Sequence, residues 1–427
     1  MSKARDLIES RRRGAKSGAS SESLEADNAN ESRIAVYDTD GNELDISESV
    51  IDMMEAEDDK AQLSADSLVA ANAALFDDLD NKYAYGMLSE EEKTAYKEIY
   101  SILCMLKSDV LLSSKDTNVI DHSFKAVLVD NPEIFYVTGY SINKYMLKDE
   151  LRKITFSGTY TMDSTEAAQK SLLVDAYVGE VLSKINTEAS DYEKIKYVYE
   201  YLINNNSYDM EAPNNQNILS VCENGLTVCQ GYSKMAQLLL NKMGIFATLV
   251  NGYAANSSFA EEDGTIHDME DSKWGAHVWN IVRIDGEYYN MDVTWGDSSF
   301  VLNSSSGDYV KGPEINYDYL LVPDSELLGT HEADPVVAMP SCVSMKDNYY
   351  VREGLYFTDI DKQKLHDAFD RGYREGTDCI NIKCADEEVY EQMRDYLFAG
   401  EAVFEYITSS SVRYVEYPNR LALSVML

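Results

Sequence analysis

The chain has 427 residues, and its 75 Asp and Glu against 37 Lys and Arg give a formal charge of −38 with histidine neutral. A surface this acidic repels nucleic acid and anionic lipid, which excludes both as the main partner. The 44% hydrophobic content is too high for a disordered polymer, and no stretch reaches the roughly 20 apolar residues of a membrane span, so a soluble globular protein without membrane insertion is expected.

The opening residues carry the basic cluster Arg11–Arg13 with no apolar run behind it. They are no secretory signal as they stand. The expected compartment is therefore cytoplasmic, with export or the cell envelope applying only if a signal is missing from the chain. Residues 1–66 read as an acidic, largely disordered arm, with fifteen acidic residues between 17 and 66 against Arg33 and Lys60. A small hairpin around Asp40-Gly41 fits within it. The string Asp38-Thr39-Asp40-Gly41 has its glycine two positions too early for a calcium loop.

Residues 67–188 read as a helical lead-in containing one pair of strands. Ser89 and Glu92 form a capping box that opens an amphipathic helix to about Leu112. A second helix starts at Asp121 and stops before Asn131-Pro132, and two strands follow, EIFYVTGYSI and ELRKITFSGTYTM. A long helix covers about 163 to 187, and Ser190 with Glu193 caps the next one. Residues 342–427, with two helices between short strands, suggest a separate small α/β unit.

Residues 189–341 hold the informative stretch. Met235, Leu238, Leu239 and Met243 form a helical stripe that begins at Cys229 and stops at Gly244. A thiol at a helix N-terminus meets unpaired amides and the positive end of the dipole, which favour a thiolate and can receive an oxyanion. Asp285-Gly286 joins two alternating runs as a hairpin, so Ile284 faces Glu287. Continuing that register sets His277 opposite Thr294 and puts Asp292 diagonally beside His277 on the same face, within about 7 Å. The other face holds Val278, Val282, Tyr289 and Met291, the side chains a core takes up.

Cys229 as nucleophile, His277 as proton acceptor and donor, and Asp292 fixing the imidazole tautomer are the three groups thiol catalysis requires. All three tryptophans, Trp274, Trp279 and Trp295, fall in the same short window, and Trp279 is placed to shield the His277–Asp292 contact from water. The loop from Asn256 to Ser272, with six acidic residues and His267, reads as a solvated loop because it lacks metal-ligand spacing. Of the six cysteines, Cys379 and Cys384 read as core residues, and no C-x-x-C pair is present.

The run VCQGYSKMAQLLLNKMGI, then NGY, then HVWNIVRIDGEYYNMDVTWGD, resembles the core of the transglutaminase-like superfamily, particularly its bacterial, clostridial-type members. DNPEIFYV, YEKIKYVYEYLINNNSYD and YDYLLVPDSELLGTH are similar to flanking parts of that group. The resemblance covers roughly residues 120 to 345. It implies an α+β fold with a papain-like core, in which the nucleophile helix packs on an antiparallel sheet, and it maps the family's Cys, His and Asp onto Cys229, His277 and Asp292. Val278 stands where alanine is more usual.

Gln230 and Trp274 are the candidates for a side chain assisting the oxyanion. The implied activity is thiol-dependent acyl transfer on peptide or protein amides through a thioester, as a peptidase or deamidase in preference to a crosslinker, with no cofactor and no metal. The rival reading is a non-catalytic protein-binding or assembly module on the same fold. The C-terminal unit is the expected surface for a protein partner.

Overall fold

The computed structural model describes residues 29–33, 63–147, 150–255, 274–297 and 315–427. Most of the acidic arm, including the turn at Asp40-Gly41, and the loop from Asn256 to Ser272 lie outside the described residues. The chain divides into two compact units, Met1–Ala168 and Gln169–Leu427. No helix among the described residues is long and apolar enough to cross a membrane.

The first unit contains a four-stranded sheet of order β1-β3-β4-β2, built from β1 (Ala29–Arg33), β2 (Val110–Leu111), β3 (Val137–Leu147) and β4 (Glu150–Tyr160). Helix α1 (Glu90–Cys104) opens with the expected capping box, Glu92 accepting from the Ser89 amide at 2.8 Å. It ends at Cys104 rather than near Leu112. Leu106 and Asp109 take positive φ angles of 47° and 56°, which turns the chain out of the helix, and Val110 and Leu111 pair with Phe156 and Thr155 instead. Helix α2 (Thr117–Asp130) starts earlier than expected because Asp116 caps it, accepting from the Asn118 amide at 2.8 Å.

Helices α3 (Ser164–Ser183) and α4 (Asp191–Asn205) lead to the part of the molecule that carries the site, where α5 (Ile218–Glu223) precedes α6 (Cys229–Lys242). The Ser190–Glu193 capping box at the start of α4 forms as expected. Two short strands, β5 (Ser207–Tyr208) and β6 (Leu226–Thr227), pair in parallel immediately before α6.

The central sheet is antiparallel. It consists of β7 (Ala247–Ala255), β8 (Trp274–Ile284), β9 (Glu287–Met291), β10 (Leu320–Val322) and β11 (His331–Ala333), in the order β10-β9-β8-β7-β11. Asp285 and Gly286 both have positive φ, 51° and 86°, the geometry a tight two-residue hairpin requires. Helix α6 is bonded to this sheet: Ser233 Oγ donates to the Val278 carbonyl at 2.9 Å, and Asn280 Nδ2 donates to the Ser233 carbonyl at 3.0 Å. A helix carrying the cysteine and packed on an antiparallel sheet is the α+β papain-like core that the sequence implied.

Both faces of β8 are buried. Val278 and Val282 are covered on one side as expected, and the side bearing His277 is a second core, where Trp279 and Ile281 pack with Val250, Trp295, Val322 and Leu327. Burying each such side chain contributes about 2 kcal/mol, so the sheet is a rigid support rather than an exposed platform. Gly252, opposite His277 in the ladder, permits a close approach. A Cβ there would strike the Glu332 carbonyl and the Trp279 ring. Its absence lets β11 run tight against β7, with His331 facing Ala254.

The remaining residues form a sheet of order β12-β13-β15-β14, from β12 (Tyr356–Phe357), β13 (Cys379–Cys384), β14 (Tyr414–Tyr417) and β15 (Ala422–Met426). A short helix, α7 (Val293–Gly296), follows β9 earlier in the chain, and the helices that accompany this last sheet are α8 (Lys362–Glu375) and α9 (Glu387–Arg394). Arg420 pairs with Asp318 at 3.1 Å and Lys383 with Glu326 at 3.1 Å, which ties this sheet to the segment following the central hairpin.

Candidate active site

Cys229 is the first residue of α6, and the extended backbone of Val228 delivers it there from β6. The preceding loop is locked to the helix start by Thr227, whose hydroxyl donates to the Asn215 carbonyl at 3.0 Å and accepts from Ser220 at 2.8 Å. Gly231 allows this contact, since a Cβ there would meet Thr227 and stand 3.1 Å from the carbonyls of Asn215 and Asn217. Lys234 Nζ donates to the Gln216 carbonyl at 3.1 Å and holds the same loop. The result is a cleft of about 320 Å³ bordered by Cys229, His277, Tyr208, Gln216, Gln230 and Asn251 among others. The first amides of α6 have no partner within the helix and remain available to an anion beside the sulfur.

His277 is 7% exposed, and its Nε2 stands 2.6 Å from Asp292 Oδ2. Burial works against a charged ring. The Asp292 carboxylate and Cys229 outweigh it, raising the imidazole pKa to about 10. Asp292 is fully buried, and burial alone would push its carboxyl up; the two histidines bonded to it prevail and hold it well below the usual carboxylate range. Its other oxygen, Oδ1, accepts from the Trp295 amide at 3.1 Å and caps α7 (Val293–Gly296).

That cap corrects the expected register. The ladder between β8 and β9 runs from Ile284–Glu287 to Asn280–Met291 and stops. Thr294 therefore does not face His277; it lies in α7. Asp292 leaves the strand because its carboxylate can satisfy an amide of the next turn, and that same turn carries Trp295 into the second core. The contact between His277 and Asp292 is nevertheless present, reached through a helix cap instead of a diagonal strand pair.

Trp279 is 1% exposed and lies nearly parallel to His277 at 6.3 Å between centroids, while its Nε1 donates to Asn290 Oδ1 at 3.1 Å. Gln230 borders the cleft. Trp274 begins β8, and its Nε1 is buried with no partner among the described residues. It is not part of the cleft wall among the described residues.

Two residues were missed by the sequence reading. Tyr208 borders the cleft beside Cys229 because β5 pairs with β6, a two-residue pairing too short to leave a periodic signal. His331 places Nε2 3.0 Å from Asp292 Oδ2, the atom that also receives His277. The available signal was scarcity: His331 is one of only five histidines.

His277, Asp292 and His331 bring one possible ligand atom each within 4.8 Å of one another. The Nε2–Oδ2 separations of 2.6 and 3.0 Å are those of hydrogen bonds. Ligands about 2.0–2.1 Å from a tetrahedral zinc stand about 3.3 Å apart, so the cluster as arranged fits protons better than a cation.

Residues 179–293 match the Transglutaminase-like superfamily. This transglutaminase-like segment ends one residue past Asp292, so it includes Cys229, His277 and Asp292 and leaves out His331. The resemblance read from the sequence is thereby borne out. The chain is also similar to the kyphoscoliosis peptidase of Mus musculus, at 24% identity over 140 residues, covering 31% of this chain and 20% of the mouse protein. Among solved structures, it is similar to a TGase, with 14% identity, a TM-score of 0.25, and coverage of 41% of this chain and 47% of that one. A candidate cysteine protease from Cytophaga hutchinsonii is similar at 13% identity and a TM-score of 0.23, over 47% of this chain and 71% of that one.

Proposed function

We propose that this protein is a thiol-dependent acyl-transfer enzyme acting on peptide or protein amides, with Cys229 as nucleophile, His277 as acid and base, and Asp292 as the group that orients His277. The observation that carries the reading is the 2.6 Å contact between His277 and a fully buried Asp292, at a cleft bordered by Cys229. An imidazole held charged by a buried carboxylate is the partner a thiolate needs.

The chemistry balances with these groups alone. The Cys229 thiolate attacks the amide carbonyl, and the resulting oxyanion is met by the free amides at the start of α6, with Gln230 at the wall. The His277 imidazolium gives its proton to the leaving nitrogen as the C–N bond breaks, leaving a thioester and a neutral ring. Water then enters, His277 takes its proton, the C–S bond breaks, and the acid product leaves the thiolate paired with imidazolium again. Asp292 stays ionised throughout and keeps the proton on Nε2, so the other ring nitrogen does the transfers.

Hydrolysis is favoured over crosslinking because the similar mouse protein is named a peptidase. The test is turnover of a labelled peptide library with and without a fluorescent primary amine. Release of free acid that disappears in Cys229→Ala is expected. Unchanged turnover in that variant refutes the enzyme reading, and amine incorporation exceeding hydrolysis refutes the preference.

A further inference from the structure

The carboxylate of Asp292 carries more hydrogen bonds than orienting one histidine requires. His331 approaches from β11, outside the transglutaminase-like segment, and is 1% exposed. Its ring is enclosed by Trp295 at 5.0 Å, Trp279 at 5.3 Å, Tyr319 at 6.0 Å and His277 at 5.3 Å between centroids. The ring is closed off from bulk solvent. Burial also lowers its pKa, although the bond to Asp292 works the other way, which favours the neutral ring.

Proton counting then fixes its tautomer. A neutral imidazole has one N–H, and a carboxylate oxygen can only accept, so the hydrogen sits on Nε2, 3.0 Å from Asp292 Oδ2. Nδ1 is then bare and accepts from the Thr330 hydroxyl at 2.9 Å. That hydroxyl also donates to the Leu327 carbonyl at 3.2 Å, so its one proton is shared between this oxygen and Nδ1. The chain of donors runs Thr330 to His331 to Asp292, and His277 approaches the same oxygen from the cleft side.

We propose that His331 is a positioning residue for the Cys229–His277–Asp292 site: it donates Nε2–H to the oxygen that receives His277, fixing the plane of the carboxylate and keeping it ionised without adding charge. A second imidazolium there would leave the buried group of one carboxylate and two rings with a net positive charge and repel the cation that His277 becomes. A neutral donor supplies the hydrogen bond and avoids the repulsion. Thr330 is what keeps the donor neutral and correctly oriented. This inference rests on the reading of Cys229 and His277 as nucleophile and base.

The test compares iodoacetamide alkylation of Cys229, followed by peptide mass, in the unmodified protein and in His277→Ala, His331→Phe and His331→Gln, each shown folded by near-UV circular dichroism. His331→Phe keeps a ring and removes the donor; it should slow alkylation about 10- to 100-fold, the factor for one hydrogen bond to a charged group. His331→Gln, which restores an N–H donor, should recover most of the rate. A purely structural role predicts lower melting temperatures in both variants and an unchanged rate.

If His277→Ala leaves the rate unchanged, the enzyme reading fails. If His277→Ala slows alkylation and folded His331→Phe does not, only the role of His331 fails. Should His331→Phe not fold, ring nitrogen-15 shifts of the unmodified protein decide the matter. Nε2 protonated with Nδ1 bare supports the proposal, and any other protonation pattern of His331 overturns it.

Discussion

Two aspartates, one in each compact unit, are buried to nearly the same extent and behave in opposite ways. Asp130, at the end of α2, is 2% exposed and accepts from the amides of Ala84 and Tyr85 at 2.9 and 2.8 Å and from the Tyr96 hydroxyl at 3.2 Å. Burial dominates there and lifts its pKa to about 6. Asp292 is 0% exposed, and its pKa falls because two histidines are bonded to it. At Asp130 burial outweighs the hydrogen bonds, whereas at Asp292 the charge of His277 adds to them and holds the carboxyl ionised, so Asp130 reads as a latch on the short helix Tyr83–Met87 and Asp292 as a proposed part of the chemistry.

The comparison breaks first on activity. Asp292→Asn removes the charge and misdirects the His277 tautomer, so turnover should fall about 10³- to 10⁴-fold in a peptide assay. Asp130→Asn should leave the turnover of folded protein within about 2-fold; equal losses in both would erase the distinction. Stability tests it next. Asp130→Ala leaves two amides and a hydroxyl without their acceptor, and should lower the unfolding free energy by about 3 kcal/mol in thermal melts.

The pH dependence falls in different windows in the two regions. The folded pKa of Asp130 is raised, so its contribution is fully present below about pH 4, the unfolded value, and is lost as pH rises through about 6. That is a change of about 3 kcal/mol at 1.4 kcal/mol per pH unit. The His277–Asp292 pair contributes only where both partners are charged. The lowered pKa of Asp292 maintains that contribution down through the usual carboxylate range, and the raised pKa of His277 removes it as pH rises through about 10. Stability measured from pH 4 to 11 in wild type, Asp130→Asn and Asp292→Asn should separate the two windows; coincident windows contradict the account. The smallest effect is that of Trp279→Phe, which loses the bond to Asn290 and should cost about 1 kcal/mol with activity within a few-fold of wild type.

The elements most legible in the sequence were those whose signals are local. The capping boxes at Ser89 and Ser190, the Asp285-Gly286 turn and the stop at Gly244 each depend on a few adjacent residues, and each appears where expected. The spacing logic also brought His277 to Asp292. It failed at Thr294 because alternation cannot show that a strand has ended in a helix cap. The overlong helix to Leu112 has the same cause: apolar residues of a short strand continued the helical stripe, and the positive φ at Leu106 left no pattern. His331 was illegible for a different reason. Its place depends on β11 reaching the edge of β7, a pairing between distant segments made possible by the bare backbone at Gly252.

The proposed role of His277 is to activate one particular thiol, and the molecule contains its own controls. Burial pushes the thiols of Cys104, Cys222 and Cys384 up to about 12 and that of Cys379 to about 11. The direct measurement is the competition of all six cysteines for substoichiometric iodoacetamide at pH 7, read by peptide mass in wild type and His277→Ala. Cys229 should be labelled first in wild type and lose its lead in the variant. Labelling spread evenly over the six, or a Cys229 lead that persists without His277, would contradict that role.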